Sequence, residues 1–589
     1  MMGAKPNPDE VMAKHAFEQF RRQNYPDTDP DVVFEYFSNH LIAKHYGLTS
    51  EEERGAKVGD TDDGGIDSIL ILLNKTEVVD GSSARITRQK NALQHLTKNV
   101  PLDIFVIQSK NSHSWKSDVL SRIGDTLDLI LDTTVPVTKL RQTPLNEDVV
   151  EMAEVYRKLT KKLIGLTPNQ TFSVKYVSLG SEKNIATYQK TKATTLKNRL
   201  RNRLPSNTKV SVDYFGAESI NTRDKESTDF DVTLKFAKPP VRDGNALIGL
   251  VKLREYAKFL RRPKTEMLRD ELFVANVRDY AGPSVKVNAA IGETLRNDGK
   301  SAFWWLNNGV TIIVDDSKDP LESNWVLTNP LIVNGLQTSH VIHEAAVDGS
   351  ITNKRLGQCL LVRVIKEPDA DVRESVITGT NNQTAVSSLQ LHANDSFQRR
   401  IEDYLASKGW YYERRRYQYR GAGKPAGRVR TFKELAQAVI SVHLLSPDTA
   451  RARPGTQLSE DSRYSKVFGN DLPLDLFNKS LLIMDAIESY LQSSHAKQYR
   501  DTSTNTRFYL ASGYVISSLK LRNLDSFDGA ITVGQLKTPN SVSLLEDIHK
   551  VLDKEVQKLD DGKIARDKIY KGKELKHRFF DALISRNQK

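Results

Sequence analysis

The sequence predicts an α/β chain in three segments: an N-terminal mixed sheet with helices, a central α/β segment and a C-terminal helical bundle. Three observations carry this. Strand-like runs alternate with helical patterns as far as VSVDYFG, strand and turn signals such as FWWLNNGVTIIV and LIVNG mark the middle, and from Thr431 onward the pattern is mostly helical. With 589 residues the chain is too long for a single core, and 38% hydrophobic with 27% charged residues is a globular composition. The expected boundaries are 1–240, 241–430 and 431–589.

Composition narrows the functional classes. No apolar run approaches the roughly 20 residues of a membrane helix, and MMGAKPNPDE lacks the apolar region of a secretory signal, so no membrane partner is expected. The one cysteine, Cys359, excludes an intrachain disulfide framework and a Cys-rich zinc site, and makes a reducing cytoplasm the economical expectation. Lys and Arg number 86 against 74 Asp and Glu, a net charge of +12 that favours a polyanionic partner, nucleic acid before membrane.

In chain order, Asn7 to Asn24 and Pro30 to Tyr46 read as helices. Asp29 and Pro30 make a start signal, Gly47 a stop, and Val33, Phe37 and Leu41 a buried stripe that leaves Glu35 to one side. Ser68 to Leu73 and Ile104 to Gln108 read as two strands joined by an elaborated loop. If they are antiparallel, Asp67 at the start of the first meets Gln108 and Lys110 at the end of the second. One carboxylate, one amide and one ammonium then converge after the tight turn that Gly64 and Gly65 allow. An ordinary hairpin with solvated polar ends uses the same residue types. The grouping also suits phosphodiester hydrolysis, with Asp67 and the Gln108 carbonyl oxygen on Mg²⁺ (or Mn²⁺) and Lys110 serving the attacking water.

The DGGID and QSK motifs resemble the PD-(D/E)XK restriction-endonuclease-like superfamily, in the branch where GGID precedes a Q-x-K. Gln108 departs from the commoner Glu, so a further carboxylate is wanted. A solvated side chain and a metal ligand both suit Glu35; the resemblance favours the ligand, with Asp63 as the alternative. It also implies the Ser109 backbone carbonyl as a ligand and a helix after the second strand, expected from a Ser114 cap toward Leu131. FSVKYVSL, a basic helix from Asn184 to Leu204 and VSVDYFG then read as a βαβ unit extending the sheet. Most of that helix's charges read as a solvated face, with a phosphate-facing wall as the functional alternative.

In the centre, ELFVANVRDYAGPSVKVNAAIGETL, FWWLNNGVTIIVDD, LTNPLIVNGLQTSHVIHE and ITGTNNQTAVSSLQL form an ordered series that resembles the AIPR family, the abortive infection phage resistance proteins of bacteria, over roughly Leu247 to Phe468. Asn307 and Asn308 make a turn signal before VTIIV. Together with Asn334, Gln337 and Asn382 they form either a network of satisfied turn amides or a ligand pocket. GWYYERRRYQYRGAGKPAGRVRTFK interleaves Tyr417 with Arg414, Arg415, Arg416 and Arg420, which reads as a nucleic-acid contact or as a solvated strand and loop. No Walker-type glycine loop is present.

The resemblance implies an anti-phage defence protein acting as an Mg-dependent endonuclease, with DNA ahead of RNA as substrate and a phage-derived trigger. The helical bundle is the expected scaffold or oligomerisation surface, compatible with a homodimer. Two other classes stay open: a non-catalytic sensor of nucleic acid or phage protein, and a nucleotide-binding enzyme centred on NGLQT.

Overall fold

The computed structural model describes all of the chain except residues 1–6, 59–61, 76, 82, 84–85, 87–95, 97, 226–230, 263–267, 274–285, 299–300, 320–322, 368–371, 374–375, 377–395, 415–417, 420–423, 453–457, 459–460, 497–498, 500–505, 525–526, 528–535, 540, 561–565 and 589. The architecture is mixed α/β, and it divides into two compact units. The first joins residues 1–226 to 396–414 and 419–589; the second holds 227–395 and 415–418. Sequence patterning suggests three successive segments, whereas the N-terminal sheet and the C-terminal helices pack into one unit.

In the first unit, β1 (Ser68–Leu73), β2 (Glu77–Val78), β3 (Pro101–Lys110), β4 (Asn169–Ser178) and β5 (Lys209–Phe215) form a sheet of order β2-β1-β3-β4-β5. β1 runs antiparallel to β3, and β4 and β5 follow in parallel, as the helical connections between them require. Side chains alternate along each strand. Ile69, Ile71 and Leu73 of β1 with Leu102, Ile104 and Val106 of β3 enter a core beneath the helices α4 (Val119–Leu131), α6 (Glu147–Leu163) and α7 (Thr187–Arg203). Leu70, Leu72, Phe105 and Ile107 enter another beneath α1 (Pro8–Asn24) and α2 (Pro30–Ala43), and α3 (Ser50–Gly55) and α5 (Val137–Leu140) are short helices of the same unit. Both faces of the strands are therefore apolar and covered.

The caps fall where the sequence places them at the start of the chain: Asn7 forms a capping box with Glu10, and Asp29 accepts from Asp31 N ahead of Pro30. Gly47, at φ 62°, ends the 3₁₀ turn Lys44–Tyr46 that closes α2. α4 starts at Val119 after Asp118, five residues beyond the Ser114 cap expected from sequence. The stripe Val119, Leu120, Ile123, Leu127, Ile130 decides which face it buries.

The C-terminal helices Phe432–Val442, Leu474–Leu491, Thr506–Ser518 and Val542–Leu559 pack around one another. Charged pairs tie this bundle to the N-terminal region. Arg54 donates to Glu434 Oε1 at 2.7 Å and to the Ala426 carbonyl at 3.0 Å, Thr431 Oγ1 donates to Glu51, and Arg451 reaches Glu151 at 3.0 Å. Among the described residues no helix is long and apolar enough to cross a membrane.

The second unit has a five-stranded sheet, β6 (Asp231–Lys235) apart: β7 (Val241–Asp243), β8 (Ala246–Lys252), β9 (Val310–Val314), β12 (Leu331–Asn334) and β13 (Cys359–Lys366) are ordered β12-β9-β13-β8-β7. A smaller antiparallel sheet joins β10 (Asp316–Lys318), β11 (Asn324–Thr328) and β6. The helices Leu253–Leu260 and Leu336–Val347 cover the main sheet, and Tyr256 is hydrogen-bonded to Ser339 at 2.7 Å in its core.

Burial alone would raise the Glu434 carboxyl, but Arg54 and Arg430 hold it down to about 2. Because that value lies below its ordinary 4.5, the contribution is complete above pH 4.5 and disappears as the pH falls toward 2. We expect Arg54→Ala to destabilise the first unit by about 1–3 kcal/mol in denaturant titrations, since it removes the ion-pair partner of a half-buried carboxylate. Glu434→Gln should flatten the acid limb of stability between pH 4.5 and 2; an unchanged limb would assign the acid sensitivity elsewhere.

Candidate functional site

The site begins with the pairing of β1 and β3. The Asp67 N–H donates to the Ile107 carbonyl at 2.9 Å, and Val58 N donates to the Asp67 carbonyl at 2.9 Å, so Asp67 is held from both sides. Its side chain is 5% exposed. A carboxylate this buried needs partners, because an unmet charge in the interior costs several kcal/mol, on the order of the net stability of a domain. Three donors reach Oδ2: Gln108 Nε2 at 2.6 Å, Ser109 N at 2.6 Å and Ser109 Oγ at 2.9 Å. Burial raises the Asp67 carboxyl, and the Lys110 ammonium and the Ser109 N–H work against that rise.

Gln108 donates to a second oxygen as well, the Ser109 carbonyl at 3.2 Å. Its amide nitrogen therefore bridges Asp67 and the Ser109 carbonyl, the two groups expected to share a cation. A flip of the amide presents Gln108 Oε1 in the same direction. The donor set is then hard oxygen throughout, which fits Mg²⁺ or Mn²⁺ bound with several waters. Among the described residues, no group of three or more Asp, Glu, His or Cys gathers as a cation site, so the cation would rest on few carboxylates.

The second carboxylate favoured from sequence, Glu35, is an ion pair with Lys57 at 3.1 Å. It projects from α2 between Asp31, which receives a hydrogen bond from Asn111, and Asn39, which donates to Ser68 Oγ at 3.0 Å. The helix is thus pinned across the ends of β1 and β3, with the Glu35 charge balanced by Lys57. Asp63 is electrostatically closer to the centre: its field reaches Asp67, and Lys110 and Arg122 act on it in turn. Gly65 N donates to Asp63 Oδ1 at 2.6 Å. Burial nevertheless raises the Asp63 carboxyl.

Tight packing forms the turn that carries Asp63 and Asp67. Gly64 and Gly65 have φ of 64° and 85°, and Thr126 of α4 donates to the Gly64 carbonyl at 2.7 Å. A Cβ on Gly64 would lie 2.3 Å from Thr126 Oγ1. Tyr176 of β4, in register with Gln108, accepts from Lys116 N and packs edge-on to Trp115 at 5.1 Å. Neither Arg122, Thr126 nor Tyr176 stands out in the sequence, because each meets the motif only through the fold.

The basic aromatic stretch is arranged differently from the reading as a nucleic-acid contact. The Arg414 side chain is 2% exposed and donates to Glu402 Oε2 at 2.5 Å, while Tyr419 donates to the other Glu402 oxygen. Trp410 is fully buried, with the Arg428 and Arg430 guanidiniums 4.8 and 4.7 Å from its ring centroid. Arg414 therefore forms a buried ion pair with Glu402, without which its guanidinium would be a buried, unmet charge. Arg415, Arg416, Tyr417 and Arg420 lie outside the described residues.

In the second unit, Asn307 Oδ1 accepts from Gly309 N at 3.3 Å and from Thr338 Oγ1 at 3.2 Å, which joins the NNG turn to the helix after NG. Asn308 is exposed, and Asn334 ends β12 opposite Thr311. Gln337 is half-buried, and its Oε1 has no hydrogen-bond partner. Asn382 lies outside the described residues. Asn307 is thus used structurally, and Gln337 retains an acceptor.

A family model described as AIPR protein matches residues 273–570, half of the chain. The match starts later than the motif landmarks suggest and runs further, taking in most of the C-terminal helices. Neither the curated proteins nor the solved structures contain a match to the chain.

Gly64→Ala should lower the thermal midpoint, because a left-handed backbone and an approach of 2.3 Å to Thr126 Oγ1 both oppose the added methyl. The expected cost is about 1–3 kcal/mol. Thr126→Gly in the same chain should recover part of it by removing the overlap; no recovery would place the strain in the backbone alone.

Proposed function

The chain belongs to the AIPR family, and from that premise we propose that it serves abortive-infection defence against phage as a metal-dependent nuclease. It hydrolyses phosphodiester bonds in nucleic acid, DNA ahead of RNA, at Asp67, Gln108 and Lys110. The observation that carries this reading is the Gln108 amide, which links the Asp67 carboxylate and the Ser109 carbonyl at the mouth of the β1 and β3 pair. The family match at 273–570 does not include these residues, so the catalytic reading rests on their chemistry.

Asp67, the Gln108 carbonyl oxygen after an amide flip and the Ser109 carbonyl would hold Mg²⁺ or Mn²⁺. When bound, that cation supplies Lewis-acid polarisation of the phosphate and a more acidic water. Lys110 has a different task. Its side chain shares the strand face of Gln108, and its three donors orient the attacking water and balance charge that develops on the phosphate. Asp63, on which the Lys110 charge acts, would add negative charge beside a bound cation. Glu35 holds Lys57 and so fixes α2 over the strand ends.

Gln108→Glu separates the roles most sharply. Glutamate has no hydrogen to give Asp67 Oδ2 or the Ser109 carbonyl, so without metal two carboxylates confront one another. Its metal-free thermal midpoint should fall below the parent's, and Mg²⁺ or Mn²⁺ should raise it by more than it raises the parent's. Lys110→Ala should keep the metal response but lose cleavage by about 10²–10⁴-fold. Asp67→Ala should lose both. Cleavage of plasmid DNA and RNA and survival of phage-infected cells measure the outcome, the second because a trigger is expected. Parental cleavage and parental protection by Asp67→Ala and Lys110→Ala would replace hydrolysis with a binding-only role.

A further inference from the structure

We propose that Arg122 grips a phosphate of the nucleic acid at this site, as a substrate-binding residue supplied by α4. The inference rests on the reading of Asp67 and Lys110 as the hydrolytic centre.

The position of Arg122 is set by its neighbours. Val119, Leu120 and Ile123 are buried and fix the first turn of α4, leaving Arg122 exposed on the other side. A Cβ built on Gly65 would lie 3.2 Å from Arg122 Cβ, so the arginine stem rests on the turn whose Gly65 N–H holds Asp63 Oδ1. Its charge acts on Asp63, as does that of Lys110 from β3. Yet among the described residues neither Arg122 nor Lys110 has a carboxylate within ion-pairing distance. The other charges of the helix are matched: Asp125 and Asp128 bind Arg199, and Asp132 binds Arg203. On α7, Lys192 is tied to Ser121 Oγ at 2.6 Å.

Two cations from different elements therefore border the acidic turn without ion-pair partners. A phosphodiester approaching a cation at Asp67 supplies the missing anion. The planar guanidinium can give two N–H groups to its non-bridging oxygens, a contact that lysine makes only as a point charge. Glycine at position 65 is what lets the stem lie this close.

The test is binding of a labelled short DNA duplex and of its RNA counterpart to the full chain in EDTA, over a range of salt. Arg122→Ala should weaken affinity about five- to tenfold and reduce the log–log salt slope by about one. Arg122→Lys should recover the slope but not all of the affinity, and Arg201→Ala, an exposed arginine on α7, should have a smaller effect. Thermal midpoints close to the parent's confirm that these exposed changes leave the fold intact. Parental affinity and slope for Arg122→Ala, an equal effect of Arg201→Ala, or no nucleic-acid binding by the parent would each overturn the assignment. Failure of the hydrolytic reading looks different: the parent then binds through Arg122 but cuts neither nucleic acid with Mg²⁺ or Mn²⁺.

Discussion

The register of β1 against β3 is the constraint on which the N-terminal unit depends. In a strand with one wet face, polarity alone would prevent a slip by one residue. Here Ile69, Ile71 and Leu73 enter one core and Leu70 and Leu72 the other, so the apolar pattern looks nearly the same after a slip. The polar groups at the strand end break that degeneracy. Asn39 donates to Ser68, and Gln108 and Ser109 donate to Asp67. A slip would leave a buried carboxylate without donors, at a cost of several kcal/mol, comparable to the whole stability of a domain. The residues proposed for chemistry are thus also those that choose the fold.

A second dependence links the sheet to the helical half of the chain. Glu51, Arg54 and Glu151 lie on N-terminal elements, and their partners Thr431, Glu434 and Arg451 lie beyond residue 430. Such buried or half-buried pairs contribute more to specificity than to net stability, because desolvation offsets much of their attraction. Any other arrangement of sheet and bundle that separates these partners strands their charges away from water. The AIPR match, which ends at residue 570, therefore covers residues whose side chains pair with N-terminal helices outside it.

Local signals made much of this readable beforehand. Caps at Asn7 and Asp29, the stop at Gly47, the antiparallel strands with Asp67 beside Gln108, and the parallel βαβ unit all follow from short-range patterns. What stayed hidden depends on distant contacts. Lys57 claims Glu35 across 22 positions, and nothing near Glu35 announces it. Arg414 carries the same charge whether it faces a phosphate or Glu402, and only burial decides between them. The union of sheet and bundle in one compact unit has no local signal for the same reason: ion pairs that span some 300 to 380 residues leave no periodicity in the sequence.

The neutral side chain at position 108 has a consequence for how the site exists before any cation arrives. With glutamate there, Asp67 and its neighbour would be two buried acids whose repulsion only a cation or a proton relieves, so folding of the strand ends would be linked to metal. Gln108 supplies hydrogen to both the Asp67 carboxylate and the Ser109 carbonyl, and the network is complete without metal. The same amide must turn before its oxygen can face a cation, which weakens binding by the value of the hydrogen bonds given up, each about 1.5–3 kcal/mol where a charged group is involved. In the proposed metal site, affinity would thereby be exchanged for a network that stays formed in the free protein. In the proposed reaction the turn of this one amide would come first, and the hydrogen bonds it gives up would set the barrier.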